Sequence, residues 1–247
     1  MTTHRLTAAS ALLLLLGVAH ADPPPQPADG IERALAYTVT IEGSGIYGSG
    51  VLVSPALGLV LTSYHVVEEM TAPRVTFFDG VAVPAKLVEL DRTLDLALLS
   101  IPPQRRAAPV WGDASALRAG EELYAIGNPR HLGFTVSRGI VSFVDRPVDG
   151  MRYLQTDLPI NEGNSGGPVL NARGELVALS SFILKRAQGL SFALPVSYAS
   201  QRFAGRLGDP LQRQRREPST GYAQSPPRAV RLPTRGGPAE HSPKNDR

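Results

Sequence analysis

The chain has 247 residues, 43% of them hydrophobic and 19% charged, with a formal net charge of +3, which suits one large globular domain or two small ones. Because there is no cysteine, disulfides, iron–sulfur clusters, thiolate zinc sites and cysteine nucleophiles are excluded. Residues 205–247 carry nine Lys or Arg and four Asp or Glu, which leaves a net charge of −3 on residues 22–204, so the basic character does not indicate a nucleic-acid-binding fold.

Residues 1–21 have the pattern of a secretory signal peptide. His4 and Arg5 precede an apolar run over 6–19, and Ala19-His20-Ala21 is a small-x-small cleavage site. A transmembrane anchor is the alternative, but the run is shorter than the roughly 20 residues that a bilayer requires. We therefore predict export to a bacterial periplasm or the outside of the cell, with no stable membrane anchor after cleavage. Four prolines in residues 22–30 predict a spacer.

Short strands separated by turns are predicted between residues 31 and 204. In the first half they cover 35–41, 48–53, 59–62, 74–78, 81–90 and 94–101, with a hairpin signal at Asp79-Gly80. In the second half they cover 122–126, 134–144, 153–156, 175–180 and 190–195, and a short helix is predicted over 196–207. This spacing predicts an all-β domain with two similar halves, about 31–102 and 103–204, as in a barrel or sandwich.

The segment 205–247 is rich in Pro, Arg, Gln and Ser and lacks apolar periodicity. It cannot bury enough surface to offset its conformational entropy, so we predict a disordered tail. A basic arm that binds nucleic acid, peptidoglycan or an acidic membrane surface is the alternative.

A serine surrounded by glycines is the candidate nucleophile. It is Ser165, in the stretch Asn161-Glu162-Gly163-Asn164-Ser165-Gly166-Gly167-Pro168. Glycines allow the backbone to approach a substrate closely and to aim N–H groups at a developing oxyanion. The alternative is a glycine-rich turn between two strands.

A serine nucleophile needs a base, and histidine is scarce enough to count. His4 and His20 belong to the signal peptide and His241 to the tail, so His65 and His131 remain. His131 lies in a polar turn, whereas His65 follows the apolar run 59–64 and is predicted at the edge of a packed wall. A structural histidine is the alternative for either residue.

The base in turn needs an orienting acid, and Asp95 is the strongest candidate. It lies in the apolar run 94–99, where a carboxylate is either buried with a partner, such as a histidine N–H, or an exception on a strand face. Asp79, Asp91 and Asp157 are in more polar, turn-like settings.

The order of these residues separates the classes of serine hydrolase. The sequence Gly163-Asn164-Ser165-Gly166-Gly167 also fits the nucleophile elbow of esterases, but that fold places its histidine after the serine, where only His241 is present. Subtilisin order is also excluded, because it requires an aspartate before the histidine and no comparable buried aspartate precedes His65. The order His65, Asp95, Ser165 is that of the two-barrel serine endopeptidases.

These segments together resemble the trypsin-like serine proteases of the HtrA/Deg type, over about residues 45–197. The matching segments are GSGV at 48–51, LTSYHVV at 61–67, DLALL at 95–99, AIGNP at 125–129, TVSRGIVS at 135–142, QTD at 155–157, INEGNSGGPV at 160–169 and LSFALP at 190–195. The resemblance implies two six-stranded antiparallel β-barrels with the active site in the cleft between them. It also implies an endopeptidase that acts on unfolded or exported polypeptides.

The resemblance implies a role for each residue of the site. His65 is the general base, Asp95 orients it and Ser165 is the nucleophile, while the backbone N–H groups of Gly163, Asn164 and Ser165 form the oxyanion hole. No cofactor is implied, and the two available histidines lack metal-ligand spacing, so no metal site is expected.

Several positions depart from the family pattern. Ser63 replaces the usual Asn, and Glu162 replaces Pro or Arg and brings a negative charge to the oxyanion loop. The residues after 204 are too few for the PDZ domain that the family usually carries. Family trimers form through N-terminal aromatic residues, of which Tyr37 is the chief one here, so a homo-oligomer is left open.

Substrate preference is predicted from the residues expected to line the pocket. Pro159 stands six positions before Ser165, where trypsin has the acid that selects Lys or Arg. Together with Phe182, Ser191 and Ala193 it predicts a pocket for small or medium apolar side chains. A catalytically silent protease fold, used as a binding or chaperone-like module, is the alternative function, and Ser165→Ala distinguishes the two.

Overall fold

The structure, a computed structural model, describes residues 27–128, 133–183 and 189–211. The predicted signal peptide, His131 and residues 212–247 of the predicted tail lie outside these residues. Among the described residues, no helix has the length and apolar character needed to cross a membrane.

The described residues form four α-helices, one 3-10 helix and thirteen strands. The helices are α1 Pro27–Tyr37, α2 Tyr64–Val67, α3 Val196–Arg202 and α4 Ala204–Leu207, and the 3-10 helix is Ala114–Ala116. The first seven strands are β1 Thr38–Gly43, β2 Ile46–Ser54, β3 Leu59–Ser63, β4 Arg74–Phe77, β5 Ala82–Pro84, β6 Lys86–Asp91 and β7 Leu96–Ser100. The remaining six are β8 Glu122–Gly127, β9 Thr135–Val148, β10 Met151–Thr156, β11 Pro168–Asn171, β12 Leu176–Ile183 and β13 Ser191–Pro195.

Strands β1–β7 form one antiparallel sheet, which we call barrel one. Its order is β5-β4-β1-β2-β3-β7-β6, so β5 and β6 lie at opposite ends of the sheet. A single residue, Ala85, separates these two strands along the chain, so the sheet must curl until its two ends meet. Both faces of the sheet carry buried apolar side chains: Ile41, Leu52 and Phe77 lie on one face and Leu61 and Leu98 on the other, all at most 1% exposed.

Strands β8–β13 form a closed barrel, barrel two, in the order β10-β13-β12-β11-β8-β9. Every neighbouring pair is antiparallel, and the side chains that point inward, among them Leu123, Val141, Leu154 and Val177, form a second apolar cluster. The prediction of an all-β fold with two similar halves is confirmed, and the helix predicted over 196–207 is present as α3 and α4.

The N-terminal segment differs from the prediction. The strand predicted over 35–41 begins only at Thr38, and the end of the predicted spacer forms the first turn of α1. Ala34 and Tyr37 are buried and Ile31 and Leu35 pack against the same core, at spacings of three and four residues that suit a helix. The Thr38 hydroxyl donates to the carbonyl oxygen of Ala34 at 2.7 Å and bonds the last turn of the helix.

The beginning of the predicted tail also has structure. Arg206 lies in α4, and its Nε donates to Glu89 on β6 at 3.0 Å. Arg202 of α3 donates to Glu89 at 2.7 Å and to Asp91 at 2.8 Å. The helices that follow barrel two are therefore bonded to barrel one.

Candidate active site

His65 and Asp95 form a hydrogen-bonded pair at one end of barrel one. Strand β3 ends at Ser63, and His65 lies in the single turn of α2 that follows. Asp95 precedes β7, the neighbour of β3, and accepts two hydrogen bonds from His65: from the main-chain N–H at 2.9 Å and from Nδ1 at 2.7 Å. A carboxylate only accepts, so Nδ1 carries the hydrogen and Nε2 is left as an acceptor for a hydroxyl proton.

The turn before β7 fixes the position of Asp95. The sequence predicted Asp95 inside a buried strand, but it ends the turn 92–95, has a φ of 52° and has a side chain that is 29% exposed. Aspartate tolerates this left-handed conformation better than most residues. The Asp91 carboxylate accepts from the N–H of Leu94 at 3.0 Å, and the carbonyl of Asp95 accepts from the N–H of Tyr64 at 3.0 Å.

The surroundings of His65 favour its protonated form. Its pKa lies above the ordinary 6.5, chiefly because the side chain hydrogen-bonds Asp95. Partial burial lowers the pKa, and the negative charges of Asp95 and Glu68 raise it. The imidazole is still reachable, since 47% of the side chain is exposed. The pair therefore suits a base whose protonated form is stabilised once it takes up a proton.

Two consecutive tight turns form the loop that carries Ser165, which we call the nucleophile loop (161–167). The N–H of Asn164 donates to the carbonyl of Asn161 at 3.0 Å, and the N–H of Gly167 donates to the carbonyl of Asn164 at 2.9 Å. Gly163 and Gly166 occupy the third position of these turns with φ values of 96° and 80°. Only glycine adopts this conformation without strain, which explains the glycine spacing around the serine.

The nucleophile loop, which belongs to barrel two, contacts barrel one where β3 ends. The Ser165 carbonyl accepts from the N–H of Ser49 on β2 at 2.9 Å. A Cβ on Gly166 would lie 2.8 Å from the N of Ser63, two residues before His65. The Ser165 hydroxyl donates to the Ser181 carbonyl at 3.3 Å, and the hydrogen bonds of the described residues do not include one from Ser165 to His65. The structure thus brings the three predicted residues to one junction and bonds two of them directly.

Two of the three N–H groups predicted to form an oxyanion hole are not used within the nucleophile loop. The N–H of Asn164, one of three predicted donors, is used inside the first turn. Within the described part of the chain, the N–H groups of Gly163 and Ser165 have no backbone acceptor. The side chain of Asn164 is buried, with a weak contact from Nδ2 to the Pro159 carbonyl at 3.4 Å.

The predicted pocket residues have different environments. Ser191 is buried and its hydroxyl donates to the Leu158 carbonyl at 2.6 Å, and Ala193 is wholly enclosed in the barrel. Phe182 is half-buried and stacks on Phe192 with ring centres 4.9 Å apart, while Pro159 is exposed. None of the four predicted positions carries a charge. Among the described residues there is also no cluster of His, Asp or Glu that could hold a metal ion.

Sequence reasoning gave no role to two polar residues that contact the nucleophile loop or its support. Ser49 bonds the loop directly, and Asn128 donates its N–H to the Ser49 hydroxyl at 3.2 Å. Both lie in segments that carried the family resemblance, GSGV and AIGNP. Their contacts join residues far apart in the chain, so spacing alone did not reveal them.

Comparison with known proteins agrees with this geometry. The sequence profile described as "Trypsin-like peptidase domain" matches residues 48–179. The chain is 40% identical over 159 residues to a putative serine protease HhoB of Synechocystis sp., covering 62% of this chain and 38% of that protein. It is also 40% identical over 158 residues to the periplasmic serine endoprotease DegP of Escherichia coli, covering 60% and 33%.

Solved structures give the same result. A serine endoprotease from Yersinia pestis superposes with a TM-score of 0.66 at 31% identity, over 75% of this chain and 68% of that one. The chain spans only about 33–38% of the length of the two curated relatives. The chain belongs to the trypsin-like peptidase domain family, and its relatives are HtrA-type serine proteases.

Proposed function

We propose that the protein is a serine endopeptidase that hydrolyses polypeptides through an acyl-enzyme. The observation that carries the proposal is the His65–Asp95 pair beside a glycine-shaped loop with a serine and two unused N–H groups. The names of the relatives supply the reaction class, since they are called serine proteases or endoproteases.

The proposed reaction begins when the Ser165 hydroxyl exchanges its bond to Ser181 for one to Nε2 of His65. Nε2 takes the proton as Oγ attacks the peptide carbonyl, and the oxyanion is stabilised by the N–H groups of Gly163 and Ser165. Asp95 stabilises the imidazolium that forms. His65 then protonates the leaving amine, and water hydrolyses the acyl-enzyme by the same steps in reverse roles.

We propose unfolded or exported proteins as substrates, cleaved after small or medium apolar side chains. The partly exposed aromatic ring of Phe182 and the exposed, uncharged Pro159 support an apolar pocket, whereas Ser191 and Ala193 are enclosed in barrel two. A signal-like N-terminus and a relative named periplasmic support export. The oligomeric state, which the sequence leaves open, and the predicted disordered tail are testable by sedimentation and limited proteolysis of the purified chain.

Labelling with a fluorophosphonate tests the proposal, because only an activated serine reacts with it. We expect one adduct by intact mass, absent in Ser165→Ala, and cleavage of an unfolded protein such as casein that the variant cannot perform. A peptide library should then show no preference for Lys or Arg. An unlabelled protein that still binds unfolded chains would instead support the silent binding module.

A further inference from the structure

Ser49, on β2 of barrel one, makes four hydrogen bonds at the junction of the barrels. It is 1% exposed. Its main-chain N–H donates to the Ser165 carbonyl at 2.9 Å, and its hydroxyl donates to the Gly163 carbonyl at 2.6 Å. The hydroxyl also accepts from the N–H of Asn128, and the Ser49 carbonyl accepts from the Thr62 hydroxyl at 2.7 Å. One residue of barrel one thus holds two carbonyls on either side of the nucleophile.

These bonds determine how the peptide groups of the nucleophile loop are oriented. The group between Gly163 and Asn164 is held at both ends, by Ser49 at its carbonyl and by Asn161 at its N–H. The group between Ser165 and Gly166 is likewise held by Ser49 at its carbonyl and by the Ser180 carbonyl at its N–H. Each held group lies next to one whose N–H is unused, at Gly163 or Ser165. Because neighbouring peptide planes share a Cα, holding the first restricts the second.

We propose that Ser49 is a positioning residue of the oxyanion site, whose hydroxyl keeps the N–H groups of Gly163 and Ser165 aimed at one point. This inference rests on the proposed endopeptidase function. Ser49 does not contact the reacting atoms, so its effect on rate passes through the loop. The Ser49 carbonyl also accepts from Thr62 on β3, the strand that leads to His65. Ser49 therefore connects the nucleophile loop with that strand.

The packing around Ser49 explains why a small hydroxyl residue suits this position. A Cβ on Gly167 would lie 3.0 Å from the Cβ of Ser49, so there is no room between strand and loop for a larger group. Alanine fits the same space but leaves the Gly163 carbonyl and the Asn128 N–H without this partner. The free-energy penalty of a buried polar group without a partner then destabilises the native conformation of the nucleophile loop.

Kinetics of Ser49→Ala test the proposal. We expect kcat to fall roughly tenfold or more, as for loss of a buried hydrogen bond that matters in the transition state, with KM nearly unchanged. A peptide boronate, which places an oxygen in the oxyanion site, should lose affinity by a similar factor. The pH dependence of kcat/KM should keep its acid limb, because the His65–Asp95 pair is untouched.

Thr38→Val is the matched control. Thr38 is a buried hydroxyl residue on the adjoining strand β1 that also donates to a main-chain carbonyl, that of Ala34. Its replacement removes a comparable hydrogen bond without touching the nucleophile loop. It should lower the melting temperature as Ser49→Ala does and leave kcat unchanged. An equal loss of kcat in both variants would overturn the proposal.

Amide hydrogen exchange provides a readout that does not need activity. In a Ser165→Ala background, which prevents self-cleavage, Ser49→Ala should speed exchange in peptides covering 161–167, and Thr38→Val should not. Wild-type protein that takes no fluorophosphonate would refute the proposed function, and exchange alone would then decide whether Ser49 holds the loop. For an active enzyme, unchanged kcat or unchanged exchange in Ser49→Ala overturns the inference.

Discussion

The His65–Asp95 pair and the nucleophile loop are positioned by different kinds of contact. The pair depends on one carboxylate that accepts two bonds from His65, and both side chains remain partly exposed. The loop depends on main-chain bonds within its two turns and on Ser49 of the other barrel. The pair should therefore be sensitive to changes of side-chain chemistry, and the loop to changes of backbone shape.

Removing the charge of Asp95 should have the largest effect. In Asp95→Asn the amide has one acceptor oxygen instead of two. The Nδ1–H tautomer of His65 is then no longer favoured, and the imidazolium loses the carboxylate that stabilises its charge. If the proposed function holds, kcat for a peptide substrate should fall by about 10⁴-fold, the loss that this substitution causes in a Ser-His-Asp protease. Asp79→Asn is the control, since Asp79 is an exposed carboxylate paired with Arg106. A loss of less than tenfold would contradict the assignment of Asp95.

A backbone change should damage the loop more than an equal change elsewhere. Gly166 and Gly80 have nearly the same φ, 80° and 82°, but a Cβ on Gly166 would clash with the Thr62 hydroxyl and the Ser49 carbonyl, whereas one on Gly80 meets nothing within 4 Å. Gly80→Ala should cost about 1 kcal/mol of unfolding free energy, through backbone strain alone. Gly166→Ala should cost about 3 kcal/mol or more.

Urea unfolding measures these two values, and kcat provides a second comparison. Gly166→Ala should also lower kcat by about 10²-fold, the effect of losing one oxyanion donor, whereas Gly80→Ala should keep it. Equal stability losses in the two variants would show that the loop is not tightly packed against barrel one.

Two exposed carboxylates, one beside each half of the site, allow a finer comparison. Glu162 adjoins the Gly163 N–H and opposes an oxyanion through solvent, so Glu162→Gln should raise kcat/KM by less than about threefold. The gain should shrink in high salt because the interaction is screened. A gain that survives high salt would point to a direct contact instead. Initial rates at low and high ionic strength decide this.

Glu68 should affect the pair instead, with the smallest effect. The pKa of His65 is raised above 6.5, so kcat/KM should fall as the pH drops through that raised value, where the base becomes protonated. Glu68→Gln removes one of the raising charges and should move the acid limb to lower pH. The stability that protonated His65 gains from Asp95 is fully present below pH 6.5 and is lost as the pH rises through the raised pKa. An acid limb that moves upward would contradict this account.

Sequence reasoning predicted His65, Asp95 and Ser165 as the site because histidine is scarce, and because the order and local pattern of the three matched one class of hydrolase. It also predicted most strands of both barrels from alternation and turn residues, but it missed β11 and gave β5 and β6 as one stretch over 81–90. It misread Leu35–Tyr37 as strand, since a short apolar run fits either period and only packing decided for a helix. It could not foresee the left-handed backbone of Asp95.

The contacts of Ser49 were equally out of reach of the sequence. Its hydroxyl and Gly163 are 114 residues apart, and their bond exists only once the two barrels meet. The same holds for Arg202, which lies 111 residues from its partner Asp91. Local sequence patterns predict helices and strands, whereas hydrogen bonds between the barrels depend on how the chain brings distant residues together.

The position of β13 and α3 at the end of the described chain affects when activity can begin. Strand β13 lies between β10 and β12, and α3 supplies the Arg202 that bonds β6. Ser165 and the glycines around it precede β13 in the chain. They therefore leave the ribosome before β13 can complete barrel two. We expect a nascent chain to lack the proposed peptidase activity until about residue 202 has emerged, because barrel two is incomplete before then.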